Sequence, residues 1–395
     1  MESKNEGDLR GGSRADESVY NLFGVRPVVN CCGIYTDLGG SVLSDTVWGA
    51  AAELNRSYIR MTELLTAAGA MIASLVGAES ARVTPGASSA IALSVAATMT
   101  GNDGARWEQL PDTSGMKSKV LIARSHSRRY KYASCVRMPG ARLLEAGPED
   151  RFDLDALLQA VREDVACAFV PAHLLDGFSG VSQLSTLIER VHRVGIPVVV
   201  DAAYLSYPIE LLREFARCGA DLCCFSAKYF FGPNAGGFVS GRRELIEIVS
   251  GLDFTGFESG RFRTFGRPFK MNRYDVATTA LALREWVGLD HAKRWQRYAD
   301  SVARIAQSVP RRTGLRAEPR LFTMSEELVT GSSVNCLALT FDNCGCTAGS
   351  VAARLEAGDP IVATIVQADT LIVAVDALLA GQDVLVAQRL ARALE

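Results

Sequence analysis

At 395 residues the chain is long for one small core and suits two domains, or one large domain with a smaller appendage. Its 42 basic and 44 acidic residues leave a net charge of −2, so no global field attracts nucleic acid or an anionic membrane surface, and a tRNA-binding role is disfavoured. No apolar run approaches a membrane span, and the ten scattered cysteines include no two-residue-spaced pair of zinc-site type, which together point to a reduced, cytoplasmic chain without a metal.

Taken in chain order, residues 1–18 are polar, lack the apolar stretch of a signal peptide and read as a mobile tail. Residues 19–70 read as an N-terminal segment packing on both domains or on a partner subunit. Residues 71–272 form the large domain, in which apolar strand runs alternate with amphipathic helices, the pattern of a mainly parallel sheet covered on both faces. Strands are expected at Val120–Ala123, Ala166–Pro171, Ile196–Asp201, Leu222–Ser226 and Gly237–Ser240. Arg151–Val161 reads as a helix capped by Asp153. Leu184, Leu187, Ile188 and Val191 recur at i, i+3, i+4 and i+7, giving a helix with one apolar stripe that Gly195 stops. Residues 251–272 fit neither a long helix nor a long strand and read as a crossing loop. Residues 273–395 form a smaller C-terminal α/β domain. It opens with helices from about Tyr274 to Val287 and Asp290 to Val309, and its strands lie at Val334–Phe341 and Thr370–Val375. Cys167, Cys223 and Cys224 sit in strand runs as small hydrophobes, and Cys344-Gly345-Cys346 reads as a loop with incidental thiols.

Two polar residues end apolar strands. Asp201 closes Ile196–Asp201, and Lys228 follows Leu222–Ser226 by two residues. A lysine and a carboxylate at the carboxyl ends of successive strands suit pyridoxal 5'-phosphate: the lysine forms the Schiff base and the carboxylate keeps the pyridine nitrogen protonated. A phosphate site is offered by Thr84-Pro85-Gly86-Ala87-Ser88-Ser89, a small-residue turn leading into a helix over Ala90–Met99. Free N–H groups and the positive end of the helix dipole favour a phosphate there, and Ser88 and Ser89 add hydroxyls. No Gly-Lys-Ser/Thr and no Gly-x-Gly-x-x-Gly follows a strand, so neither a nucleoside triphosphate nor a dinucleotide is indicated. His126 and His173 each follow a strand end, where an imidazole can stack on a ring or carry a proton. His192 and His291 fall in helices and read as bystanders.

The order of phosphate turn, His126, Asp201-Ala202-Ala203 and Ser226-Ala227-Lys228 resembles the fold-type I PLP enzymes. Gly24–Asn30, Leu38-Gly39-Gly40-Ser41, Gly232-Pro233, Gly241-Arg242-Arg243, Gly266–Lys270 and Gly358-Asp359-Pro360 resemble the selenocysteine synthase-like branch, which includes D-glucosaminate-6-phosphate ammonia-lyase relatives. The resemblance spans about residues 20–390. It implies an α/β fold with a large, mainly parallel seven-stranded sheet. It also implies that Lys228 carries the cofactor, that Asp201 pairs with the pyridinium, that His126 lies over the ring and that Ala203 gives it room. Gly86, Ala87, Ser88, Ser89 and Ser226 would hold the phosphate, Arg267 an anionic group, and a homodimer or larger assembly would share the site.

This chain departs from the branch at Ser226-Ala227, where glycines are common, at the bulky Tyr229-Phe230-Phe231, and in Ile361–Val366, which lacks an arginine. The chemistry expected is therefore reaction at Cα of a small-molecule amino acid through an external aldimine and quinonoid, with Lys228 as acid or base and His173 a further catalytic candidate. O2-dependent oxidative decarboxylation is favoured, as in PLP monooxygenase-decarboxylases of nucleoside-antibiotic biosynthesis. β-Elimination as an ammonia-lyase and a catalytically silent PLP-fold binding module stand as alternatives.

Overall fold

A computed structural model describes residues 18–175, 180–259, 262–331 and 333–395; the polar tail lies outside these, apart from Ser18. The described residues divide into two compact units, residues 34–289 and residues 18–33 with 290–395. The division at 289/290 assigns the helix Arg273–Val287 to the larger unit, where it packs on the helix Met61–Val76.

In chain order the strands are β1 Val28–Asn30, β2 Ser80–Thr84, β3 Lys119–Ala123, β4 Arg142–Ala146, β5 Val165–Pro171, β6 Val198–Asp201, β7 Leu222–Ser226, β8 Gly237–Gly241, β9 Leu315–Phe322, β10 Leu328–Val329, β11 Cys336–Phe341, β12 Ile361–Ala363, β13 Ile365–Gln367 and β14 Thr370–Ala374. The larger unit holds a seven-stranded sheet in the order β2-β8-β7-β6-β5-β3-β4, parallel except at β8, which runs antiparallel to both neighbours.

Both sheet faces are buried, and the strands alternate between two cores. On β6, Val198 and Val200 join Leu184, Leu187, Ile188 and Val191 of the helix Gly180–Arg193, whereas Val199 joins Ile91, Leu93 and Val95 of the helix Gly86–Thr100. β7 repeats the pattern, with Cys223 and Phe225 on the first face and Leu222 and Cys224 on the second. A strand with both faces covered loses its polar alternation, which is why these runs read as continuously apolar. Asp153 caps its helix by accepting from the Ala156 N–H at 2.9 Å, and Gly195 stops Gly180–Arg193 at φ +76°.

The smaller unit carries an antiparallel sheet in the order β10-β9-β11-β14-β13 and a parallel pair, β1-β12. Its core gathers Leu337 and Leu339 of β11 and Leu371 and Val373 of β14 against the helices His291–Gln307, Ala348–Glu356 and Gln382–Ala393. Among the described residues no helix is long and apolar enough to cross a membrane.

Candidate active site

Adjacent strands deliver the polar residues to one edge of the large sheet. His126 lies in the short helix Arg124–Ser127 after β3, His173 in the turn Ala172–Leu174 after β5, Asp201 at the end of β6 and Lys228 in the turn Ala227–Phe230 after β7. β2 is parallel to β7 through the intervening β8, so its carboxyl end reaches the same edge: Thr84 and Ser226 both pair with Gly237. Ligands in open α/β sheets gather at such carboxyl ends.

The phosphate turn differs from expectation in an instructive way. The helix begins at Gly86, four residues early, so Gly86, Ala87 and Ser88 open its first turn with N–H groups that lack carbonyl partners within the helix. Gly86 adopts φ +77°, and a Cβ built on it meets nothing within 4 Å. At Gly237, by contrast, a Cβ would come within 2.5 Å of the Gly86 carbonyl carbon and 2.6 Å of the Phe225 oxygen. Only a glycine lets this first turn lie against the end of β7, beside Ser226. Ser88 is exposed, but the buried Ser89 hydroxyl donates to the Pro85 carbonyl at 2.9 Å, so that hydroxyl is already engaged.

Asp201 is 2% exposed. Its Oδ1 accepts the Ala203 N–H at 3.0 Å and its Oδ2 accepts the Tyr130 hydroxyl at 2.6 Å. Burial pushes its pKa up from the ordinary carboxylate value, against the pull of these two bonds and of His173. Both hydrogen-bond donors are neutral, and each carboxylate oxygen keeps a further lone pair. A desolvated carboxylate so placed fits a cationic partner, such as a protonated pyridine nitrogen.

Lys228 donates to the Thr36 hydroxyl at 2.7 Å and, more weakly, to the Ile34 carbonyl at 3.4 Å, and its amine lies 5.0 Å from the Tyr229 ring centre. Burial lowers its pKa, Lys131 lowers it further and Asp37 opposes, so the neutral amine needed for bonding to an aldehyde is more accessible than in an exposed lysine. Burial likewise lowers the pKa of His173; Asp201 counteracts, while Arg129 and Lys131 reinforce the shift. The His173 ring stands 5.2 Å from Tyr204, which stands 5.8 Å from Tyr229, so an aromatic wall runs between the Asp201 and Lys228 ends.

His126 is buried with one face covered by Phe152, the rings 5.1 Å apart and within 7° of parallel. Ala203 is tied to the lysine strand by accepting the Ser226 N–H at 3.0 Å. Arg267 is not joined to this group: its guanidinium pairs with Glu258 at 2.8 Å and lies over Phe257. His192 binds the buried Asp221 at 2.7 Å, as befits a structural histidine. Cys344 and Cys346 bring their sulfurs to 3.9 Å of each other in the smaller unit.

Sequence reasoning missed Tyr130, Phe152 and Thr36. The Leu38-Gly39-Gly40-Ser41 signature did flag the last region: Ser41 donates to the Gly232 carbonyl at 2.6 Å, which anchors the segment against the loop after Lys228.

Residues 50–309 match the family model for class-V aminotransferases. The chain belongs to that family. Class-V aminotransferases and their relatives depend on pyridoxal phosphate, and this chain is a PLP-dependent enzyme. It is 28% identical over 361 residues to a 5'-C-glycyluridine monooxygenase-decarboxylase from a Streptomyces species, covering 90% of this chain and 85% of that one. It is 30% identical over 234 residues to the D-glucosaminate-6-phosphate ammonia lyase of Salmonella typhimurium, covering 58% and 62%. It is 24% identical to the L-seryl-tRNA(Sec) selenium transferase of Moorella thermoacetica, covering 97% of this chain and 85% of that one. A solved structure of D-glucosaminate-6-phosphate ammonia-lyase superposes with a TM-score of 0.79 over 96% of this chain and 98% of that one, at 23% identity, which establishes the shared fold.

Proposed function

We propose that the enzyme catalyses O2-dependent oxidative decarboxylation of a small-molecule amino acid. The observation that carries this reading is the likeness to the glycyluridine monooxygenase-decarboxylase, which extends over 90% of the chain where that to the ammonia lyase extends over 58%. A glycyl-nucleoside is the leading substrate. The balanced reaction that retains the nitrogen converts one amino acid and one O2 to a carboxamide, CO2 and water.

Pyridoxal phosphate, when bound, supplies an electron sink for the pair left on Cα as a bond to it breaks. The first turn Gly86–Ser89, with Ser226, would bind its phosphate, Asp201 would hold the proton on its pyridine nitrogen, and His126 would offer its ring the face not covered by Phe152. Ala203, with its small side chain, would leave the ring room. Lys228 would bond the aldehyde carbon and, once the substrate amine takes its place, carry a proton to or from Cα. His173, uncharged at neutral pH through burial, would accept a proton near the substrate. Arg267 would serve a substrate anion only by leaving Glu258.

Incubating the loaded enzyme with a glycyl-nucleoside under air and under argon tests the reaction. Oxidative decarboxylation gives CO2 and carboxamide in equal amounts under air and stops under argon; an elimination releases ammonia equally well in both and would overturn the reading.

We further propose a homodimer. Segment 42–58 leaves Val42, Trp48 and Tyr58 largely exposed, Tyr58 at 97%, which is costly for large apolar groups in an isolated chain. Light scattering should give twice the chain mass for the wild type and a shift towards monomer for Trp48→Glu; a monomeric wild type rejects the dimer. None of the ten cysteines, all among the described residues, is in a disulfide, which fits a reducing compartment, the cytoplasm.

A further inference from the structure

Tyr130 lies four residues beyond His126, in a stretch that carries no recognised motif. It is 4% exposed, and its ring is packed 5.3 Å from Phe169, 5.9 Å from Tyr132 and 6.2 Å from His173. Its hydroxyl spans 71 positions of sequence to reach Asp201 Oδ2 at 2.6 Å. A buried phenol needs a partner, and many would be met by a backbone carbonyl. Here the partner is the carboxylate that would face the cofactor nitrogen.

The geometry fixes that carboxylate in two places. The Ala203 N–H holds Oδ1 from the chain just beyond β6, and Tyr130 holds Oδ2 from the loop after β3. With both oxygens held, rotation of the carboxylate plane breaks one bond or the other. Neither donor carries a charge, so the negative charge is stabilised without being neutralised and remains available to a cation. A lysine or arginine in the place of Tyr130 would hold the carboxylate as well but would compete with the pyridinium for it.

We propose that Tyr130 is a positioning residue for the cofactor: through Asp201 it orients and stabilises the carboxylate that keeps the pyridine nitrogen protonated. This rests on the assignment of Asp201 to the cofactor nitrogen, and it holds whichever reaction follows. Tyr130 touches neither substrate nor cofactor in this role, and it acts only through Asp201.

Tyr130→Phe removes the hydroxyl and keeps the ring that fills the space among Phe169, Tyr132 and His173. Loss of a hydrogen bond to a charged group predicts roughly a tenfold or greater fall in kcat. KM should change less, because the substrate does not meet Tyr130. Two readouts do not depend on turnover. The dissociation constant for pyridoxal phosphate should rise, and the pH midpoint of the visible absorbance of the loaded enzyme should move upward. The second follows because a less protonated ring withdraws less charge from the nitrogen joining Lys228 to the cofactor, leaving it more basic.

The decisive arm is Tyr130→Phe placed on Asp201→Asn. If Tyr130 acts through Asp201, the second substitution changes the absorbance midpoint and the cofactor affinity little beyond what Asp201→Asn already does. A wild-type midpoint and affinity in Tyr130→Phe overturn the proposal, as does a full-sized effect in the Asp201→Asn background. A wild-type protein that takes up no pyridoxal phosphate overturns the cofactor assignment itself, which is a separate and earlier result.

Discussion

Lys228→Ala is expected to abolish the visible absorbance that covalently held pyridoxal phosphate gives and to lower turnover by about 10³-fold or more. The side chain is placed for both losses. Its amine is held by Thr36 Oγ1 at 2.7 Å and is half-buried beside Tyr229, with its pKa lowered by burial and by Lys131, so the neutral amine that attacks an aldehyde is more accessible than in an exposed lysine. Removing it deletes the bond to the cofactor and the group that would move a proton at Cα in one change. The two losses separate experimentally. On the proposed assignment the cofactor would still have the Gly86–Ser89 turn and Asp201 to hold it, so equilibrium dialysis should show retained but non-covalent binding, with the free-aldehyde spectrum. A Lys228→Ala protein that keeps the wild-type absorbance band would falsify the assignment of Lys228.

How much of this was legible beforehand depended on whether a residue's signal was local. β6 and β7 are buried on both faces, so Val198–Val200 and Leu222–Phe225 announce themselves as apolar runs, and a polar residue at the end of such a run stands out. That is how Asp201 and Lys228 stand out as candidates in the sequence. The large sheet's β2, Ser80–Thr84, does not, because Arg82 sits in its middle. The structure shows why a charge is tolerated there: Arg82 donates to Asp253 at 2.8 Å and to Thr255 at 2.7 Å, both buried with it and both more than 170 positions away in the chain. β9 was obscured in the same manner by Arg316, Glu318, Pro319 and Arg320 on a largely open strand. Tyr130 and Thr36 were invisible for a related reason. Each acts on a residue 71 or 192 positions distant, and nothing in its own neighbourhood marks it. Ser89 shows the reverse error, a residue correctly placed in the turn whose hydroxyl is spent on Pro85.

Asp201→Asn should separate stability from catalysis. The side chains have nearly the same shape, and the neighbours can accommodate the change: Asn Oδ1 can accept the Ala203 N–H, and Asn Nδ2 can donate to the Tyr130 hydroxyl oxygen, which can also accept. What would be lost is the charge proposed to face the pyridine nitrogen. Removing one partner of a buried, hydrogen-bonded charge pair costs about 2–5 kcal/mol, which corresponds to a fall in kcat of roughly 30-fold to several thousand-fold if the cost falls on the transition state. The cofactor-free protein should respond in the opposite sense. Burial raises the pKa of Asp201 in the folded state, so between the ordinary carboxylate value and that raised value the folded protein binds more protons than the unfolded chain. Stability contributed by this site therefore falls as pH rises through the window, and above it the charged carboxylate is a full liability. Asparagine carries no such liability. Cofactor-free Asp201→Asn should melt at or above the wild-type temperature at pH 7.5, with the advantage shrinking as the pH falls towards the ordinary carboxylate value, below which the wild-type carboxyl is protonated in both states. An advantage that grows on acidification would mean that His173 and Tyr130 together stabilise the anion more than burial penalises it, and would remove the argument that this carboxylate is held in readiness for a cation.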